Sequence, residues 1–343
     1  MKRVSKKEAG EILISIRDVA KMAGVSPSTV SRVMNGTANV DDEKKQRVLK
    51  VIEETGFRPN ETARTLYKKS ARIIGVILPN IQNPFFNEMA RAIEEESYRR
   101  GYRLMLCNSN NDLEKEKTNM DLLSRMNADG IILLTNQEGI RESVEQCRVP
   151  VVVLDREVKA KNQIAYVQSD HYQGGRLAME HLVKCGCRHI VNMRGDQALS
   201  SARKRFEGYL AMCSRYDVAP RFVDCKYSFQ EGIRMTEELL ERYPGVDGII
   251  AGNDMVAVSV YKVLRKKGYR VPDDIQIIGY DNINLSELMT PELTTIAQPI
   301  SLMGETSARV LIDYIEGKKT DIRYHFEVEL IERETTLRKR EEV

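Results

Sequence analysis

No stretch of the 343-residue chain approaches the ~20 consecutive apolar residues that a membrane helix needs. Met1 to Ile14 holds no apolar core of signal-peptide length, because Glu8 and Glu11 interrupt it. A cytoplasmic location is expected. Cysteine is sparse: six residues, scattered, with one Cys185-x-Cys187 pair. That spacing is no zinc pattern, and His181 and His189 do not complete one. Free thiols without metal or cofactor are expected. There is no glycine-rich phosphate loop and no Ser/His/Asp order with supporting context, which argues against an enzyme. Asp155 and Asp281 could be drawn as the acid and base of a glycosidase, but they are better explained as ligands for hydroxyl groups. Net charge is only +3. It is unevenly placed, about +6 over residues 1–70 and −3 beyond. A basic N-terminal unit on a faintly acidic remainder suits nucleic acid at one end and a neutral ligand at the other.

What is present organises around residues 15–66. Ser15-Ile16-Arg17-Asp18 has the Ser-x-x-acid spacing of a helix start. Ile16, Val19, Ala20 and Ala23 then make one apolar stripe. Gly24 suits a C-cap, and Ser26-Pro27 can open a second helix at once. Val30, Val33 and Met34 form the inner face of that helix; Pro27, Ser28, Ser31 and Arg32 form its outer face. Two short helices joined by a glycine turn predict a helix-turn-helix. Ser28 and Thr29 offer short hydroxyls near the helix start. Arg32 can reach guanine O6 and N7, a pairing that discriminates by about 1–3 kcal/mol. A third helix opens at Asp41 or Asp42, turns Val48, Leu49 and Ile52 inward, and ends at Gly56, with Phe57 closing the core. Arg58-Pro59-Asn60 breaks the chain. Asn60 can then cap a helix of under three turns through Tyr67, too short to be stable alone.

From Arg72 onward, apolar strands alternate with amphipathic helices. The strands are Ile73–Leu78, Leu104–Cys107, Gly130–Leu134, Val151–Leu154, Ile164–Val167, Ile190–Met193, Asp224–Tyr227, Gly248–Ala251 and Ile275–Gly279. This pattern predicts parallel sheets covered on both faces, with too many units for one sheet, hence two lobes. Ligands in such folds sit beyond the carboxyl ends of the strands. Asn83, Phe85 and Phe86 follow the first strand. Asp155 and Arg156 follow the fourth. Arg205, Phe229, Asn253, Asp281 and the crossover residue Gln298 follow later ones. Amides, carboxylates and guanidiniums offer forked partners for vicinal hydroxyls, and aromatic rings offer faces for the C–H side of a sugar.

The run Ile16-Arg17-Asp18-Val19-Ala20-Lys21-Met22-Ala23-Gly24-Val25-Ser26-Pro27-Ser28-Thr29-Val30-Ser31-Arg32-Val33-Met34-Asn35-Gly36 resembles the head of the lactose-repressor (LacI/GalR) family of bacterial transcription regulators. The resemblance implies an all-α helix-turn-helix head and an α/β two-lobed body of the periplasmic-binding-protein type with parallel sheets. It implies a tail over 1–14, a head over 15–59, a hinge over 60–70 and an effector body over 71–343. Within the body it implies an N-lobe of about 71–168 and 299–326, and a C-lobe of about 169–298 and 327–343. Ser15, Arg17, Ser26, Pro27, Ser28, Thr29, Ser31, Arg32 and Asn35 would meet operator DNA. Leu66 would wedge into the minor groove beside Ala63 once paired hinges fold on the operator. Asn83, Phe85, Phe86, Asp155, Arg156, Arg205, Phe229, Asn253, Asp281 and Gln298 match positions that line the ribose site of the related binding proteins. Ala63–Lys68, Asp274–Asp281 and Glu334-Thr335-Thr336 are similar to the Gram-positive ribose-type branch. The implied protein is a homodimeric repressor released from its operator by a small sugar, with a phosphocarrier protein as a possible further partner. After Thr336 no leucine heptad follows, so the tetramerising tail of some members is not expected.

Overall fold

The computed structural model describes residues 14–36, 40–57, 70–135, 138–156, 158, 160–161 and 163–337. The expected tail before residue 14 and the hinge with Ala63 and Leu66 lie outside the described residues. The chain divides into two units, Met1–Ala71 and Arg72–Val343.

Local chemistry sets the helix ends of the first unit. In α1 (Ile16–Ala23), the Asp18 amide donates to Ser15 Oγ at 3.3 Å, and the Ser15 amide donates back to Asp18 Oδ2 at 2.9 Å. In α2 (Pro27–Asn35), Ser26 caps the Thr29 amide at 3.1 Å and Pro27 takes the first helical position. In α3 (Asp42–Thr55), Asp41 caps the Lys44 amide at 3.2 Å. Val19, Ala20, Ala23, Val30, Val48, Val51 and Phe57 form the small core. Leu49 departs from expectation: it is 42% exposed, and Val51 points inward in its place. Val48, Leu49, Val51 and Ile52 crowd about one and a half turns of α3, wider than one helix face, so one of the four is left toward solvent.

The second unit contains two six-stranded sheets. The first uses β1 (Ile73–Leu78), β2 (Arg103–Asn108), β3 (Gly130–Leu133), β4 (Val151–Leu154), β5 (Gln163–Ser169) and β11 (Arg323–Phe326). Its order is β11-β5-β4-β3-β1-β2, parallel throughout. The second uses β6 (Ile190–Arg194), β7 (Phe222–Asp224), β8 (Gly248–Ala251), β9 (Gln276–Asp281), β10 (Thr295–Ala297) and β12 (Glu329–Ile331). Its order is β12-β10-β9-β8-β6-β7, with only β12 antiparallel. Alternate residues of each strand serve opposite cores: Ile74, Val76 and Leu78 face one N-lobe cluster, while Ile77 faces the other. Burying each such side chain stabilises the fold by about 1.5–3 kcal/mol. Helices cover both faces. In the N-lobe they are α4 (Pro84–Arg99), α5 (Leu113–Arg125), α6 (Arg141–Gln146) and α12 (Ile300–Ile315). In the C-lobe they are α7 (His171–Lys184), α8 (Ser200–Arg215), α9 (Phe229–Arg242) and α10 (Asp254–Lys266), with a single turn, α11 (Leu285–Leu288), after β9.

The expected strand Asp224–Tyr227 is displaced; β7 spans Phe222–Asp224, which leaves Tyr227 in a loop. The chain crosses between lobes after β5, after β10 and after β11. These crossings are tied together: the Asp170 amide donates to the Phe326 carbonyl at 2.8 Å, and the Ser169 hydroxyl bonds to the Gln298 side chain. Near the mouth between the lobes, Ile283 joins the N-lobe core and the Asn284 amide donates to Glu88 Oε1 at 2.9 Å.

Candidate functional site

The carboxyl ends of both sheets meet across a cleft with about 450 Å³ of empty space, including its open mouth. Asn80, Asn83, Phe85, Phe86, Asn111, Asp155 and Arg156 line it from the N-lobe; Arg205, Tyr227, Asn253 and Asp281 line it from the C-lobe. Eight of the ten residues expected at a ligand site are therefore brought together.

Each is positioned by its element. Asn83 caps α4, its Oδ1 accepting the Phe85 amide at 3.1 Å. Asn253 caps α10 in the same way, accepting the Val256 amide at 2.9 Å. Capping occupies one oxygen lone pair and leaves each amide's NH₂ as its available donor. Phe85 and Phe86 meet edge to face with centroids 5.2 Å apart, and both belong to the N-lobe core as well as to the cleft wall. Asp155 follows β4 with φ 70°, and Asp281 ends β9 with φ 112°. Left-handed backbone at a residue bearing a side chain costs about 1–3 kcal/mol and persists where surroundings fix it. Here the Asp155 amide is held by the Val167 carbonyl at 2.8 Å, and Asp281 Oδ1 accepts from Gln298 Nε2 at 2.7 Å.

The charges alternate. Arg156 donates to the Thr135 carbonyl at 2.9 Å and to Ser201 Oγ, across the cleft, at 3.2 Å. Its Nε lies 3.7 Å from Asp155 Oδ2. Arg205 donates to the Gly252 carbonyl at 2.9 Å, lies 3.7 Å from Asp281 Oδ1, and stacks 3.6 Å from the centroid of Tyr280. Burial works against ionising Asp155. The hydrogen bond from His171 and the charges of Arg156 and Arg205 override it and hold the carboxyl well below its ordinary range. Burial pushes the Asp281 carboxyl up, with Arg205 opposing and Asp254 adding to the rise.

Phe229 and Gln298 are not among the lining residues. Phe229 opens α9, takes the Ser259 hydroxyl on its carbonyl at 2.8 Å, and sets its ring 5.3 Å from Lys262 Nζ. That places it against α10 rather than in the cleft wall. Gln298 is buried at the crossover and donates to Asp281, which does line the cleft. Three lining residues were missed. Tyr227 was assigned to a strand that ends earlier. Asn80 and Asn111 follow β1 and β2, where inspecting every strand end would have found them.

On the head, Ser15, Arg17, Ser26, Pro27, Ser28 and Arg32 are exposed, Thr29 and Ser31 are half-buried, and Asn35 closes α2. Ser26 Oγ lies 2.7 Å from Ser28 Oγ and 2.9 Å from Thr29 Oγ1, so these hydroxyls form one cluster at the start of α2. Among the described residues no group of His, Cys, Asp and Glu could hold a metal, and no helix is long and apolar enough to cross a membrane.

A helix-turn-helix unit followed by a two-lobed ligand-binding body defines a ligand-responsive DNA-binding regulator. Comparison with known proteins agrees in both parts. Residues 15–60 match the bacterial regulatory proteins of the lacI family, and residues 71–336 match the periplasmic binding proteins and sugar binding domain of the LacI family. The chain belongs to the LacI family. It is similar to the ribose operon repressor of Halalkalibacterium halodurans, 41% identical over 94% of this chain and 97% of that one. Among solved structures it is similar to the lac repressor dimer bound to operator and an anti-inducer. There the TM-score is 0.85 at 28% identity, covering 94% of this chain and 99% of that one. It is also similar to a LacI family regulator from Enterococcus faecium with bound ribose. There the TM-score is 0.71 at 32% identity, covering 78% of this chain and all of that one. By this membership the protein is a DNA-binding transcriptional repressor, not an enzyme.

Proposed function

We propose that the protein represses a ribose-utilisation operon and leaves its operator when ribose binds between the lobes. The supporting observation is the make-up of the cleft. Two acidic groups, Asp155 and Asp281, stand with two guanidiniums, Arg156 and Arg205, so each cation among the lining residues already faces an acid rather than open space for a phosphate. The remaining lining groups are amides, a phenol and two phenyl rings, which suit hydroxyls and a C–H face. A sugar that loses one hydroxyl partner loses affinity, which makes such a cleft selective.

In this reading the sugar bridges both lobes and favours one lobe arrangement over another. The paired hinges, with Ala63 and Leu66, then no longer fit the operator together, and the head residues from Ser15 to Asn35 let go. Coupling of this kind is typically about 1–3 kcal/mol. The homodimer places two heads on two half-sites. A phosphocarrier protein enters as an additional partner on the resemblance to catabolite-control regulators.

An electrophoretic shift on the gene's own upstream DNA tests the proposal with ribose, xylulose, glucose, ribose 5-phosphate and no sugar. Release by ribose at the lowest concentration is expected. Release by another sugar reassigns the effector, tightening by ribose makes it a corepressor, and indifference to all of them rejects the proposal.

A further inference from the structure

One buried side chain that the strand-end rule never reached touches both lobes beneath the cleft. His171 begins α7, just past the first crossing, and is 1% exposed. Its Nε2 lies 3.3 Å from both the carbonyl oxygen and Oδ1 of Asp155. Its Nδ1 lies 3.3 Å from Arg205 Nε and 3.5 Å from the Tyr280 hydroxyl. A guanidinium only donates, so Nδ1 must be bare and accepting. The ring is therefore neutral, with its proton on Nε2 facing Asp155. Close helix packing fixes this geometry. A Cβ at Gly175 would stand 1.9 Å from the Arg205 carbonyl oxygen, and one at Gly208 would stand 2.1 Å from that of Tyr172. Only glycine at both places lets α7 and α8 approach so closely and sets His171 beside Arg205.

We propose that His171 is a positioning residue for the effector: it holds Asp155 of the N-lobe and Arg205 of the C-lobe in the arrangement the sugar meets. This rests on the reading of the cleft as the effector site. A second proton on His171 would set Nδ1–H against Arg205 Nε–H, so weak acid loosens the effector. Burial, with Arg205 adding, pushes His171 below the ordinary histidine range, which confines this loss to the acid side of neutrality. The groups facing the ring are Asp155 from the loop after β4, Arg205 from α8 and Tyr280 from β9, with Arg156 and Asp281 in the same cluster.

The test compares full-length wild type with His171→Leu, which removes both bonds, and His171→Gln, which keeps one donor and one acceptor. Titration with ribose is expected to give affinity at least about tenfold weaker for His171→Leu and largely restored for His171→Gln. Operator binding without sugar should match wild type in both. Below about pH 6.5, and increasingly as the pH falls further, wild type should lose affinity relative to His171→Gln. Asp281 titrates in both proteins, so the difference belongs to residue 171. In the free protein at neutral pH, the histidine ¹⁵N spectrum should show residue 171 protonated on Nε2 alone. A His171→Leu variant that binds ribose within about twofold of wild type overturns the proposal. So does a charged or Nδ1-protonated ring. If wild type binds no sugar, the reading of the cleft fails, and the ring's protonation state still decides the proposal.

Discussion

Serine, asparagine and aspartate carry the polar chemistry of both units, in opposite surroundings. In the head, Ser15, Ser26 and Asp41 each cap one helix at the solvent surface. In the body, Asn83 and Asn253 make the same cap bonds while also lining the cleft, and Asp155 and Asp281 sit buried in left-handed backbone. Head polar groups form small local sets at the surface, where water can replace a lost partner. Body polar groups form one network in low dielectric, where losing one strands its partners. The comparison predicts large, shared losses in the body and small, separable ones in the head.

The largest effect is expected at Asp281. Asp281→Ala takes the acceptor from Gln298 Nε2 and the nearest carboxylate from Arg205. Truncating one partner of a buried charged pair costs about 2–5 kcal/mol, which is about thirtyfold to several-thousandfold in affinity. Operator binding without sugar should persist, while release should fail at sugar concentrations that free the wild-type protein. A variant that releases DNA at the wild-type concentration removes Asp281 from the site and breaks the contrast.

An intermediate effect is expected at Arg32, exposed on the second turn of α2. Arg32→Ala should weaken operator binding by about 1–3 kcal/mol and relax preference at one base pair. Sugar affinity should not move, because the two events belong to different units. Measuring both on one preparation makes a double dissociation with Asp281→Ala. If Arg32→Ala shifts sugar affinity as strongly, head and body are not separable in this sense.

The same contrast governs what the sequence revealed. Helix ends in the head were legible because they are decided within four residues: Ser15 with Asp18, Ser26 with Thr29. The cleft was legible where a residue simply follows a strand, as Asp155 and Asn253 do. Where long-range packing decides, the sequence alone does not say how a side chain is held. Gln298 follows β10, but Ser169 and Asp281, far away in sequence, turn it to the crossover. Phe229 is turned by Lys262 and Ser259 of α10. β7 was displaced, and strands of three residues such as β10 and β12 are too short to show a period. His171 was invisible because its partners come from two lobes.

The smallest effect is expected at the head's first turn, where the comparison is sharpest. Ser15 Oγ accepts the Asp18 amide, and Asp18 Oδ2 accepts both the Ser15 amide and its hydroxyl. Those two donors hold the Asp18 carboxyl below its ordinary value, and Lys21 adds to this against a small opposing cost of burial. A carboxyl whose pKa is lowered by folding contributes stability above its unfolded value and loses it as pH falls through the folded one. The head's first turn should therefore loosen in acid, below the ordinary aspartate range. Ser15→Ala should cost about 1 kcal/mol locally and flatten that acid dependence, since the hydroxyl partner is gone. Hydrogen exchange on the Asp18 and Val19 amides of the full-length protein reads this directly. Faster exchange confined to α1, with sugar binding unchanged, is the outcome a separable cap requires. Loss of protection reaching α3 or the cleft would mean that surface caps are as interdependent as the buried network.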